Sequence, residues 1–473
     1  MSRHPKERKT MSESESQVES MAWLMRDLRR TRKQGAAAVA RRRGDRLADL
    51  VAYARSASPY YRELYRGLPE RIEDPALLPV TDKKQLMGHF DDWPTDRDIT
   101  LEKVRAFTDD PGLIGRRFLG RHLVATTSGT SGLRGLFVLD DRYMSVSSAV
   151  SSRVLASWLG PLGIARAVAR GGRFAQLVAT EGHYVGFAGY SRMALEGGSR
   201  SKLLRALSVH EPMEKLVAEL NEYRPAFVIG YASTIMLLTA EQEAGRLHID
   251  PVLIEPAGET MSENDTDRIA KAFGAKVRTM YSATECTYLS HGCVEGWYHV
   301  NDDWAVLEPV DSDHQPVPPG EFSHTVLISN LANRVQPFLR YDLGDSVMLR
   351  PDPCPCGAAS PAIRVQGRAG DILTFPSGRG DDVRLAPLAF SSLFDRMPGV
   401  ELFQIEQTEP STLRVRLVRA PGADADRVWR NAHDGLTRLL ADNKLDNVTV
   451  ERAEEPPRQG DGGKYRTIIP HAA

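Results

Sequence analysis

The chain has 473 residues, long enough for a large lobe with its own core and a smaller partner lobe. Its 61 basic and 62 acidic residues leave a net charge of −1, which gives no general reason to expect a nucleic acid or an anionic membrane as partner. No apolar run approaches the ~20 residues that span a bilayer, Met1 to Ser20 lacks a signal-peptide core, and four cysteines are too few for a disulfide framework, so a reducing, cytoplasmic setting is expected.

Residues 1–20 are polar and charged and read as a disordered tail. From Met21 to about Tyr65 the pattern is helical: Leu47, Leu50, Val51 and Ala54 recur at helix spacing, and Ser58-Pro59 interrupts the run before Tyr60, Tyr61 and Tyr65. The basic clusters Arg29 to Lys33 and Arg41 to Arg43 have no aromatic or glycine-rich context and read as solvated helix faces rather than phosphate contacts. Further on, Leu123-Val124-Ala125 and Leu136-Phe137-Val138-Leu139 flank Thr126-Thr127-Ser128-Gly129-Thr130-Ser131-Gly132. This spells strand, loop, strand. Gly129 and Gly132 permit positive φ, and the hydroxyls and amides around them form a nest that suits a polyphosphate. A plain turn has the same composition, and the string is not a Walker loop, because the spacing and the closing lysine are absent.

From Gly172 short apolar runs alternate with helical stretches. Strands are expected at Phe174 to Ala179, Pro225 to Ile229, Val252 to Glu255 and Val277 to Met280. Helices are expected at Met213 to Glu222, Ser233 to Gln242 and Ser262 to Phe273, the last opened by Ser262-x-x-Asp265. Such alternation predicts βαβ units and a largely parallel sheet, with ligands outside the carboxyl ends of the strands. Gly258-Glu259 and Tyr281-Ser282-Ala283-Thr284-Glu285 stand at such ends. From Tyr298 to Leu349 the texture shifts to short strands and Pro/Gly turns, as in a small β-barrel-like subdomain. Near the end, strands at Val400 to Gln407, Leu413 to Arg419 and Val448 to Ala453 surround a helix at Asp424 to Asp442.

Five stretches in this order carry a family likeness: Thr127 to Gly132, Tyr281 to Glu285, Arg340-Tyr341-Asp342-Leu343-Gly344-Asp345, Gly367-Arg368-Ala369-Gly370-Asp371, and Gly462-Gly463-Lys464-Tyr465-Arg466. Together they resemble the core motifs of the adenylate-forming (acyl-CoA synthetase, AMP-binding) superfamily, and within it phenylacetate-CoA ligase and its relatives. The likeness runs from about Arg46 to the end. It implies an α/β fold: a large N-terminal AMP-binding domain of βαβ layers over 21–365, a hinge at 366–371, and a small mobile α+β C-terminal domain over 372–473.

The same resemblance implies an acid-thiol ligase that joins a carboxylic acid to ATP as an acyl-adenylate and then passes the acyl group to CoA. An aromatic or small organic acid is the expected substrate. Thr127, Ser128, Gly129, Thr130, Ser131 and Gly132 would cradle the triphosphate, while Gly258, Glu259, Tyr281 and Ser282 would form the adenine slot. Thr284 would bond the α-phosphate and Glu285 would ligate Mg²⁺. Asp345 would hold the ribose hydroxyls, Arg368 would reach ribose or phosphate, and Lys464 would bridge carboxylate and α-phosphate during adenylation. The acid pocket would draw on His183, Tyr184, Gly186, Tyr231 and Ala257. Two positions depart from the family's pattern. No lysine follows Gly132, leaving Arg134 as the nearest cation, and the hinge carries Gly370 where an acidic residue is common.

The cysteines form a second constellation. Cys354-Pro355-Cys356-Gly357 is a tight turn, and Cys293-x5-His299 lies upstream. Three thiolates and an imidazole suit a tetrahedral structural Zn²⁺. Spacing leaves His291 as a rival of His299 and Cys286 as a rival of Cys293, with four reduced thiols as the metal-free alternative. The acceptor stays open between CoA, an amine and a carrier-protein thiol, and a homodimer stays open as well. A nucleotide-binding protein without chemistry is the reading from another class. The presence of Lys464, Glu285 and Asp345 argues against it.

Overall fold

The computed structural model describes residues 20–127, 134–180, 182–259, 261–368, 373–376, 382–385, 387–394, 397–459 and 466–471. The loop residues Ser128 to Gly132, the hinge residues Gly370 and Asp371, and Lys464 fall outside the described residues, as does the side chain of Arg368. Among the described residues no helix is long and apolar enough to cross a membrane.

The fold is mixed α/β. Its N-terminal helical stretch is three helices: Met21–Lys33, Ala36–Ala57 and Pro59–Leu64. Gly35, at φ +87°, separates the first two, and Ser58, whose hydroxyl accepts from the Tyr61 amide, caps the third. The basic residues here are less solvated than their spacing suggests. Arg43 pairs with Asp302 at 3.8 Å and Arg32 with Asp303 at 3.7 Å, and Arg153 also binds Asp303. Arg46 donates to the Asp303 carbonyl at 2.5 Å, and its guanidinium lies 3.5 Å from the Trp304 ring centre. Arg29, Arg30 and Arg41 do face solvent. The clusters therefore tie the helices to a buried acidic pair, because an aspartate that is almost wholly inaccessible needs cations around it.

Leu123–Thr126 and Leu136–Leu139 pair as an antiparallel hairpin, as the loop between them requires. A 29-residue helix follows, Asp141–Ala169, kinked where Gly160 takes φ +64° ahead of Pro161. Five strands then form a parallel sheet in the order Leu204–Ser208, Phe174–Val178, Phe227–Tyr231, Leu253–Ala257, Lys276–Val277. Gly230 is required at its centre, since a Cβ there would lie 2.6 Å from Leu177 Cβ. The helix Glu263–Phe273 begins where Ser262 Oγ accepts from the Asp265 amide at 3.0 Å.

Beyond this sheet, two small antiparallel sheets share a core of Val300, Val326, Val347 and Ile363. One pairs Ala305–Val310, Thr325–Asn330 and Tyr341–Asp342; the other runs Asp345–Leu349, Ala362–Arg368, Tyr298–Val300, Ser290–Gly292. A separate core lies wholly between Leu373 and Ile468. The helix Ala425–Asp442 packs there on a four-stranded sheet built on Val400–Glu409 and Thr412–Arg419.

Candidate active site

The residues singled out by motif gather where three elements meet. Tyr281 to Glu285 leave the last parallel strand, and Tyr341 to Asp345 join the two antiparallel sheets. Two hydrogen bonds staple these segments together. The Tyr281 hydroxyl donates to Asp345 Oδ2 at 2.7 Å, and the Tyr341 hydroxyl donates to Glu285 Oε1 at 2.9 Å. Burial, with the Glu285 carboxylate beside it, holds the Tyr341 phenol far above its ordinary range, so it stays a donor. Glu285 is buried, at 4% exposure, and its carbonyl accepts from Asn330 Nδ2 at 2.7 Å. One carboxylate oxygen is thus anchored. The other makes no hydrogen bond among the described residues, which is the arrangement a cation ligand needs.

Around this pair the other predicted residues take varied places. Arg368 lies directly across the strand pair from Asp345. Ser282 is exposed and Thr284 half-buried in the same loop, tightened by reciprocal amide bonds between Ala283 and Cys286. Gly258 takes φ +76°, turning the chain so that Glu259 reaches back to the helix Ala232–Glu243. There its carboxylate accepts from the Ser233 amide at 2.7 Å and hydroxyl at 3.1 Å, closing the helix N-terminus from a neighbouring strand end. Thr127 meets Gly135 across the hairpin: its amide donates to the Gly135 carbonyl at 3.1 Å, and its hydroxyl accepts from the Gly135 amide at 2.8 Å. Arg134 leans back onto Thr126 Oγ1 at 3.3 Å.

The expected acid-pocket residues split. His183 is buried; its ring stands 5.4 Å from Phe107, its Nε2 lies 3.3 Å from the Asp110 carbonyl, and burial lowers its pKa. Tyr184 bridges to Thr126 in backbone register, and Gly186 lets its helix sit on Gln176, since a Cβ would lie 3.2 Å from Gln176 Nε2. Tyr231 and Ala257 stand opposite each other at the strand ends, and the Tyr231 hydroxyl bonds the Ala179 backbone, its pKa pushed up by burial to about 12.

Away from this locus, the ligand atoms of Cys293, His299, Cys354 and Cys356 all lie within 4.8 Å of one another. His299 Nε2 is 3.1 Å from Cys356 Sγ, and Cys293 Sγ is 3.8 Å from Cys354 Sγ. The His299 Nδ1 sits 3.0 Å from the Ser360 carbonyl, which orients the ring toward the thiols, as a metal-bound imidazole requires. Burial and the neighbouring thiols of Cys354 and Cys293 push the Cys356 thiol above its ordinary range, a cost that a cation would reverse. The rivals stand elsewhere: Cys286 lies in the main core, and His291 is outside the cluster, its ring centre 6.0 Å from that of His299.

Sequence reasoning picked Tyr281, Glu285 and Asp345 but missed the role of Tyr341 as a clamp and of Asn330 as a carbonyl anchor. Tyr341 stood inside a chosen motif. Asn330, 45 residues from its partner, gave no local signal.

No protein-family model matches the chain. Protein CapK of Staphylococcus aureus is 25% identical over 168 residues, a match covering 34% of this chain and 36% of CapK, so the chain spans about a third of the length of that curated relative. The crystal structure of 2-hydroxyisobutyryl-CoA ligase in the postadenylation state, in complex with 2-HIB-AMP, superposes with a TM-score of 0.68 at 20% identity, covering 93% of this chain and 90% of the ligase. The same ligase in complex with 2-HIB-AMP and CoA in its thioesterification state gives 0.57, covering 94% and 92%. The chain therefore has the fold of the adenylate-forming acyl-CoA ligases. The chain superposes better on the first of these two structures than on the second.

Proposed function

We propose that the chain is an ATP-dependent carboxylate-activating ligase. It would form an acyl-adenylate from a small or aromatic organic acid and pass the acyl group to CoA. The observation that carries this reading is the double staple between Tyr281–Asp345 and Glu285–Tyr341 on that fold. It fixes two carboxylates on facing segments, one with an oxygen left for Mg²⁺. In this reading Glu285 screens the phosphates through the metal, Thr284 bonds the α-phosphate, Asp345 and Arg368 hold the ribose, and Gly258, Glu259, Tyr281 and Ser282 frame the adenine. Ser128 to Gly132 would hold the pyrophosphate, with Arg134 as the nearby cation, and Lys464 would swing in during adenylation as residues 366–371 flex between lobes 21–365 and 372–473. Splitting the reaction turns a poor electrophile into a mixed anhydride that a thiol attacks readily. Cys293, His299, Cys354 and Cys356 would hold one structural Zn²⁺ with no open position for catalysis.

The test is exchange of labelled pyrophosphate into ATP over a panel of carboxylic acids, followed by mass spectrometry of products with CoA, amines or a carrier protein offered. Acid-dependent exchange with a CoA thioester as product is the expected result. Exchange without thioester would move the acceptor to an amine or carrier thiol, and no exchange with any acid would remove the ligase reading.

A further inference from the structure

The five-stranded parallel sheet has two unlike faces. On one, Ala175, Leu177, Val228 and Ile254 are closed off in an apolar core. On the other, successive rungs carry Gln176 beside Ile229 and Ile229 beside Glu255, and all three are only half-buried. This second face is not bare surface. The helix Val185–Glu196 lies on it, with Gly186 over Gln176, and the kinked helix packs near its edge, where Lys276 Nζ donates to the Trp158 carbonyl at 2.9 Å. Side chains that lie beneath helices and still touch solvent line an internal cleft. At their carboxyl ends, two strands of this face run out side by side at Tyr231 and Ala257.

Within the cleft Glu255 is anomalous. It is half-buried, and it makes no hydrogen bond or ion pair among the described residues. Gln176, two strands away, is likewise without a partner for its amide. Nearby groups do not compensate: Arg278, at the end of the adjacent strand, donates to the Val277 carbonyl at 2.7 Å, and the Tyr231 hydroxyl is taken by the Ala179 backbone. Burial alone pushes the Glu255 carboxyl up to about 7. A carboxyl whose charged form burial disfavours, left without a protein partner beneath a helix, points to a ligand that supplies one. Glu255 stands two residue steps before Ala257, so its position lies roughly 7 Å deeper than the strand ends where the acid's carboxyl would react.

We propose that Glu255, assisted by Gln176, is the specificity-determining residue of the acid pocket, selecting a carboxylic acid that carries a hydroxyl or ammonium donor roughly 7 Å from the carboxyl being activated. This rests on the ligase reading above. A para-substituted aromatic acid has that reach, with Ile229 between the two polar groups as the apolar floor.

The experiment measures ATP–pyrophosphate exchange on para-hydroxybenzoate, para-(aminomethyl)benzoate and para-toluate, for the full chain and for Glu255→Leu, Glu255→Gln and Gln176→Leu. The intact chain is expected to prefer the donor-bearing acids by roughly 10- to 100-fold in kcat/KM. Glu255→Leu should erase that preference while keeping or improving activity on para-toluate, which also shows that the variant folds. Glu255→Gln should retain para-hydroxybenzoate and lose the ammonium acid, and Gln176→Leu should weaken the preference by a few-fold. Unchanged selectivity in Glu255→Leu, or a preference for para-toluate in the intact chain, would overturn the assignment while leaving the ligase reading intact. Absence of exchange on every acid would overturn the ligase reading and this one with it.

Discussion

Glu285 is held at both its backbone and its side chain. Its backbone carbonyl accepts from Asn330 and one carboxylate oxygen from Tyr341, which together restrict the side chain. Tyr341→Phe removes one neutral donor to a charged acceptor. In the proposed ligase, adenylation should fall about 10- to 100-fold with a raised Mg²⁺ requirement, read by pyrophosphate exchange against Mg²⁺ concentration, while the fold persists because the ring still packs against Phe338 at 5.4 Å. The thiol cluster invites a harsher test. Cys354→Ser should lower bound zinc and thermal stability together, because metal binding and local folding are linked; metal analysis beside a melting curve checks both, and intact chain purified without chelator yet free of zinc would end the zinc assignment. Motif reading reached Glu285, Asp345 and the four zinc candidates because chemistry restricts those residue types. It passed over Glu255, because a single carboxylate at the end of an apolar run reads as the point where a strand leaves the core.

Elements were legible where period and punctuation agreed. The helix expected at Met213 to Glu222 is Met213–Tyr223, and the capping serine at 262 does begin its helix. The strand expected over Val277 to Met280 is only Lys276–Val277, because the Gly292 amide donates to the Thr279 carbonyl and holds the chain there to the neighbouring antiparallel strand instead. The long kinked helix Asp141–Ala169 escaped notice, since Gly160-Pro161 hides its continuity. A contact between elements that no local pattern reveals is Glu259 capping the helix Ala232–Glu243, whose own N-cap, Tyr231, offers no side-chain bond. Glu259→Ala should cost about 1–2 kcal/mol of stability, the loss of a charged cap, with Glu259→Gln costing less than half as much. Denaturant melts of the two variants compare them directly. Equal stability of Glu259→Ala and the intact chain would show the cap to be idle.

At the scale of the whole molecule, the two cores meet at a charged bridge. Arg268, on the helix Glu263–Phe273, donates through Nη1 to Glu401 Oε2 at 3.0 Å and through Nη2 to Glu401 Oε1 at 3.2 Å, while Nε and Nη2 also hold Glu243. Glu243 and Glu401, with Arg268 between them, hold that guanidinium well above its ordinary range. Glu401 belongs to the strand Val400–Glu409 of the smaller lobe and its side chain is only 7% exposed. Arg268→Ala would leave a nearly buried carboxylate without its cation, so it should destabilise this arrangement of the lobes relative to others more than it destabilises either lobe. In the proposed ligase, with this arrangement serving the first half-reaction, adenylate formation should slow several-fold while thioester formation from a supplied acyl-adenylate stays the same or quickens. Raising ionic strength should move the intact chain in the same direction, but weakly, because the pair is partly shielded from solvent. Removing the second charge as well discriminates the cause. Glu401→Gln in the Arg268→Ala background should recover much of the lost rate, since no unpaired charge then opposes the contact, whereas Lys464→Ala should slow adenylation by orders of magnitude with no such rescue. Equal slowing of both half-reactions by Arg268→Ala would mean that the bridge holds the fold together rather than timing the movement of its lobes.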